Sequence, residues 1–279
     1  MISLFQSALE DIKKAIIDNN GKKLEREFAR AREIKLKAQS SKLKAQNLII
    51  AIDGPAGSGK STAAKILSKR FNYKYIDTGA MYRAVALKAI ESNIPLSDER
   101  RVSEIAADIK IEFAPPLSSP PSEGGEGGGV NQKIFANGKD ITLKIRDEDI
   151  GKGASVVSAY SGVRKVLLIK QREMGKSGGV VMEGRDIGTV IFPDAHIKFF
   201  LDASVEERGK RRYRELKEKG EDVRLDRIIE GIKDRDNNDV SRNLAPLKKS
   251  PDSIVIDTTG ISIDEVIENM LQRIDKLMG

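Results

Sequence analysis

The sequence contains no cysteine, a single histidine and no long apolar run. Without cysteine there is no disulfide and no thiolate-held metal, which fits a reducing compartment such as the cytoplasm. One histidine argues against a histidine metal cluster and against a catalytic triad. That residue, His196, has no acidic or histidine partner at ligand spacing and reads as structural or surface. No stretch reaches the ~18 consecutive apolar residues that a membrane helix needs. The opening Met1-Ile2-Ser3-Leu4-Phe5 lacks the basic and long apolar regions of a signal peptide. A cytoplasmic protein without a membrane partner is the expectation. Charge is present but unevenly placed. Of the net +7, residues 1–46 supply most, with eleven Lys and Arg against six Asp and Glu. A basic chain invites nucleic acid as a partner, but here the charge reads as a solvated helix face on the tail, and nucleic acid is not expected.

The 279 residues, 39% hydrophobic and 33% charged, suit one α/β domain with additions or two small domains. Residues 1–46 read as a helical hairpin. Phe5, Leu9, Ile12 and Ile16 recur at helical spacing, Asp18-Asn19-Asn20-Gly21 stops that run, and Leu24, Phe28 and Ala31 begin another. From residue 47 to 279, short apolar runs alternate with helical patterns. Leu48 to Ile52, Tyr73 to Ile76, Val180 to Met182, Ile197 to Leu201 and Ile254 to Ile256 are expected strands. Helices are expected from Lys60 to Arg70 and from Ala80 to Glu91. Such alternation predicts an α/β fold with a parallel sheet flanked by helices. Between them, residues 95–150 read as a small inserted subdomain. Its 115–129 segment has four Pro, five Gly and three Ser and is expected to be a flexible loop. Lys133 to Thr142, around Asn137-Gly138, has the pattern of a β-hairpin on a type I′ turn.

Gly54-Pro55-Ala56-Gly57-Ser58-Gly59-Lys60-Ser61 matches the phosphate-loop pattern G-x-x-x-x-G-K-[ST] in full, with Thr62 next. It follows an apolar strand and opens a helix, the context the motif requires. Glycines let backbone N–H groups turn toward a phosphate, and the helix N-terminus adds partial positive charge. Lys60 is placed for the β- and γ-oxygens of ATP, and the Ser61 hydroxyl for one position on Mg²⁺. The loop alone establishes nucleotide binding and leaves kinase, GTPase, motor and transporter subunit open. Asp53, on the first strand, and Glu183, before Gly184, are acidic, but neither is an obvious second metal-site acid, so Mg²⁺ is expected to rest mainly on Ser61, phosphates and water.

Three further motifs follow in order: Ile76-Asp-Thr-Gly-Ala-Met-Tyr-Arg83, Glu183-Gly-Arg-Asp-Ile-Gly-Thr-Val-Ile-Phe-Pro-Asp194, and Arg235-Asp-x-x-Asp239-x-x-Arg242. With the phosphate loop they make residues 47 to 278 resemble the bacterial cytidylate kinases; the tail and the Pro-Gly loop fall outside. The resemblance implies a P-loop nucleoside monophosphate kinase fold with an inserted acceptor-binding subdomain and a lid near 206–238. It implies ATP with Mg²⁺ as donor, CMP and dCMP as acceptors, and a kinase core that acts as a monomer, leaving the N-terminal hairpin as a candidate for association. By resemblance, Arg83, Arg185 and Arg242 grip the acceptor phosphate. Asp186 accepts from the cytosine amino group, with Arg164 and Ser155 as donors to the base; Thr78 also lines the acceptor site, and Asp239 takes the sugar hydroxyls. Arg208, Arg212 and Arg235 reach the donor phosphates from the lid.

Two other readings stay open at this point. One is a kinase for another small acceptor, such as UMP or shikimate. The other is a P-loop binding module without turnover, against which Lys60, Ser61 and the arginines speak.

Overall fold

The computed structural model describes residues 47–114, 132–242 and 244–278, with the single residues Asp11 and Arg26. The expected N-terminal hairpin and the 115–129 loop lie outside the described residues. In chain order the elements are β1 (Ile49–Asp53), α1 (Lys60–Phe71), β2 (Lys74–Asp77), α2 (Thr78–Glu91), α3 (Glu99–Asp108), β3 (Ile111–Phe113), β4 (Ile134–Ala136) and β5 (Lys139–Asp140). After a 3₁₀ turn at Lys144–Arg146 come α4 (Glu148–Val157), α5 (Ser161–Gly175) and β6 (Val180–Gly184). A π-helical turn at Ile187–Ile191 leads to β7 (Ile197–Asp202), α6 (Val205–Glu218), α7 (Leu225–Ser241), β8 (Ile254–Asp257) and α8 (Ile263–Met278).

The main sheet has five parallel strands in the order β2-β6-β1-β7-β8. β1 lies at its centre, and Ile50, Ala51 and Ile52 have no exposed surface. That burial on both faces is why the strand reads as an unbroken apolar run and not an alternating one. The sheet faces are covered by apolar stripes. α1 contributes Ala63, Ala64, Leu67 and Phe71, and α8 contributes Val266, Ile267, Met270, Leu271 and Ile274, to one core with β1, β7 and β8. α1 ends at Asn72, whose left-handed backbone (φ 56°) stops the helix and returns the chain to β2.

The inserted region forms a three-stranded antiparallel sheet, β3-β4-β5. Asn137 and Gly138 both carry positive φ, as a type I′ turn demands. Its apolar residues Val102, Ile109, Ile111, Ile134, Ile141 and Ile145 share one core with α2, α4 and α5. The Gln132 amide donates to Tyr75 O at 2.9 Å and Ala114 O at 3.1 Å, tying this unit to the edge strand β2. α2 begins two residues before the expected Ala80. The Asp77 carboxylate accepts from Ala80 N at 3.0 Å and caps the helix, so Thr78 and Gly79 are its first turn and not a loop. No helix among the described residues is long and apolar enough to cross a membrane.

Candidate active site

β1, β2 and β6 all end at one edge of the sheet, and the chain segments leaving them carry the motifs. The phosphate loop leaves β1 through Gly54, whose φ is 151°; a Cβ there would lie 2.0 Å from Leu201 O. Only glycine fits that approach, and the loop must pass there to turn back onto α1. No side chain caps the N-terminus of α1, where Gly59 is left-handed, so its amides are available to an anion. Lys60 is 7% exposed, and its ammonium rests on Pro55 O at 3.0 Å. Burial, reinforced by Arg185, pushes it down to about 7.

The Ser61 hydroxyl donates to Glu183 Oε2 at 2.7 Å, and the Tyr75 hydroxyl donates to the other oxygen of the same carboxylate. Burial, then the neighbouring Asp77, raises the Glu183 carboxyl above its usual range. A hydroxyl and a carboxylate one hydrogen bond apart beside a phosphate loop are the hard oxygen ligands that Mg²⁺ takes. The residues present, Ser61 and Glu183, fit the ion. Sequence reasoning set Glu183 aside because only three apolar residues, Val180 to Met182, precede it. The parallel pairing of β6 with β1 is what brings it to Ser61.

Most of the residues expected to face the acceptor meet around the turn after β6. Arg185 Nε donates to Asp239 Oδ2 at 2.7 Å, and Arg242 Nη1 lies 3.6 Å from Asp239 Oδ1. Burial raises Asp239, but Arg185 and Arg242 outweigh it and hold the carboxyl below its usual range. Arg242 Nε donates to Ala245 O at 2.9 Å, while its Nη2 is buried with no partner among the described residues. Asp186 and Arg164 form a buried ion pair, with Arg164 also on Ser158 O at 3.2 Å and 5.8 Å from the centre of the Tyr82 ring. Burial raises the Asp186 carboxyl, and Arg164 and Arg242 oppose it. Arg83 lies 3.9 Å from Asp77, and the Thr78 hydroxyl donates to Glu183 O at 2.7 Å. Ser155 is half-buried on α4, and no hydrogen bond joins its side chain to the Arg164–Asp186 pair among the described residues.

The arginines expected on the lid divide. Arg208, 3% exposed, makes a two-pronged bond to Asp236 at 3.0 and 2.5 Å and donates to Ala56 O at 3.2 Å and Ala203 O at 2.9 Å. In this structure it braces the phosphate loop against α7. Arg212 pairs with Glu215 on its own helix at 2.8 Å. Arg235 has no hydrogen bond or ion pair among the described residues; burial, then the neighbouring Arg185, pushes it down to about 10. Arg211, absent from the expected set, holds Thr258 O at 2.5 Å and Thr258 Oγ1 at 3.1 Å. It lines a cavity of about 380 Å³ with Gly59, Thr62, Gly260, Ile261 and Val266, beside the N-terminus of α1. Apart from Gly59 and Thr62, these walls carry no motif, and the turn after β8 was their one local signal. His196 Nδ1 accepts from Ile49 N at 3.1 Å, a structural role as expected.

A phosphate loop on the central strand of a parallel sheet, with half-buried arginines just past the end of the neighbouring strand and on α7, defines a P-loop kinase of the nucleoside monophosphate class. The family model described as cytidylate kinase matches residues 50–276. The cytidylate kinase of Geobacter sulfurreducens is 48% identical over 225 residues, covering 81% of this chain and 91% of its own. That of Citrifermentans bemidjiense is 46% identical, covering 82% and 94%, and that of Bacillus subtilis 43% identical, covering 83% and 98%. The chain belongs to the cytidylate kinase family.

Proposed function

We propose that the chain transfers the γ-phosphoryl group of ATP to CMP and dCMP, giving CDP and dCDP. The observation that carries this reading is the buried Arg164–Asp186 pair set beside Arg242, whose Nη2 is buried without a partner among the described residues. Orphaned buried donors are rare, and an anionic acceptor phosphate would satisfy this one. The carboxylate next to it suits a base with an exocyclic amine. Cytosine offers a donor at N4 and acceptors at N3 and O2, and uracil reverses the pattern at N3 and O4. A uracil oxygen against Asp186 would leave buried groups unmatched, a strong basis for rejection.

The acceptor phosphate is already ionised near neutral pH, so no general base is needed. The task of the protein is alignment and charge. The amides at the start of α1 and the Lys60 ammonium hold the donor phosphates. The cavity beside Gly59 and Thr62 takes the donor base. Arg83, Arg185 and Arg242 hold the acceptor phosphate, and Arg235, unpaired among the described residues and near Arg185 and Arg83, is placed for charge that develops on the transferring group. Ser61 and Glu183 would hold magnesium, which when bound neutralises phosphate oxygens. An ADP-release assay with CMP, dCMP, UMP and shikimate tests the proposal. Turnover with the cytidine nucleotides, well above that with UMP or shikimate, is the expected result. Equal or greater turnover with another acceptor would replace it.

A further inference from the structure

Asp53 is the last residue of β1 and directly precedes Gly54, where the phosphate loop begins. It is 5% exposed, and no cation pairs with it among the described residues. Its Oδ1 accepts from Ile187 N at 2.8 Å and its Oδ2 from Gly188 N at 2.7 Å. The parallel register sets Asp53 opposite Gly184, so the two segments leave the sheet side by side. Arg185 and Asp186 lie in the second segment, between Gly184 and the two bonded amides.

We propose that Asp53 is a positioning residue for the transfer, fixing the acceptor loop at Arg185 and Asp186 to the donor loop at Gly54. The inference rests on the CMP kinase reading. A buried carboxylate is costly unless its oxygens are hydrogen-bonded, and here both are, by amides that would otherwise lose their acceptor. What the carboxylate adds is two charge-assisted bonds to successive amides, which set both the position and the tilt of the turn. The fit is close on the far side too. A Cβ at Gly188 would come within 3.1 Å of Lys198 Cδ and 3.4 Å of Asp53 Oδ2. A displacement of ~1 Å between reacting groups costs on the order of 10² in rate, so a clamp with one end in each loop has a direct kinetic consequence.

Asp53→Asn isolates the effect, because the amide keeps the shape but offers one acceptor and sets its NH₂ against the other N–H. Steady-state kinetics of the full chain should show kcat/KM for CMP reduced about tenfold or more, the size of one lost charge-assisted bond. The preference for CMP over UMP should shrink, and the KM for ATP should stay within about twofold, since the P-loop amides are untouched. An unfolding midpoint that falls while CMP kinetics and CMP/UMP preference stay unchanged would overturn the inference and leave Asp53 a stability residue. Should the variant fail to fold, hydrogen exchange at the Ile187 and Gly188 amides of the wild-type chain decides. Protection matching the β1 amides supports the clamp, and exchange at the rate of exposed turns overturns it. Wild-type protein inactive on CMP would instead count against the proposed function.

Discussion

Replacing Asp186 by alanine separates base reading from phosphate binding. The carboxylate is buried against Arg164, at the place where the proposal puts the cytosine amine. Losing a hydrogen bond to a charged group costs about 1.5–3 kcal/mol, or roughly 10- to 150-fold in kcat/KM for CMP. UMP makes no such bond, and with the carboxylate gone the Arg164 guanidinium can donate to its O4. The CMP:UMP ratio should therefore fall by at least the factor lost on CMP. The KM for ATP should hold, because nothing in the phosphate loop touches Asp186. A second effect comes with the first. Breaking a buried ion pair and leaving one charge costs about 3–5 kcal/mol, and each kcal/mol lowers the unfolding midpoint of a domain this size by roughly 2–4 °C. The assay therefore belongs well below the variant's midpoint, with paired initial rates on CMP and UMP at saturating ATP. Equal factors on the two acceptors would refute the reasoning, since Asp186 would then support the site without reading the base.

Arg242→Ala should lower kcat/KM for CMP by roughly 10- to 150-fold through loss of a phosphate contact, with UMP falling by the same factor; a change confined to one base would move Arg242 off the phosphate. Arg235→Ala should reduce kcat by about 10³ or more, as loss of a charge-stabilising arginine does, with both KM values little changed; a rise in the KM for CMP alone would place it in acceptor binding. A chain beginning at Gln46 should keep its CMP turnover, because the family match starts at residue 50 and every proposed site residue follows it; loss of turnover on matched activity assays would make the N-terminal segment part of the kinase.

The parts of the fold readable from the sequence were those whose cause is local. Ile50 to Ile52 announce a strand buried on both faces because no polar residue interrupts them. The phosphate loop is visible because its glycines and lysine must be adjacent in the chain. The α2 start was misplaced by two residues because Asp77 could cap a helix or end a strand, and it does both. What stayed hidden depends on which strands become neighbours. Glu183 meets Ser61 only because β6 inserts between β2 and β1, some 120 residues after the phosphate loop. Asp53 looked like a strand-end acid until the same pairing brought the Ile187 and Gly188 amides to it. Arg208 was expected to reach the donor phosphates; that it touches the phosphate loop at Ala56 O and pairs with Asp236 on a different helix could not be read from its own stretch. The walls of the cavity beside α1 are ordinary residues, such as Ile261 and Val266, whose role comes from position alone.

The central claim is phosphoryl transfer from ATP to CMP through the phosphate loop, and ³¹P NMR of the reaction mixture tests it most directly. With Mg²⁺, ATP and CMP, the wild-type chain should convert the CMP and γ-phosphate resonances into those of CDP and ADP. Lys60→Ala, which removes the ammonium that reaches the donor phosphates but leaves the sheet intact, should give neither product over the same period while keeping its unfolding transition. Wild-type protein that leaves CMP unchanged, or a folded Lys60→Ala variant that forms CDP at a near wild-type rate, would contradict the account.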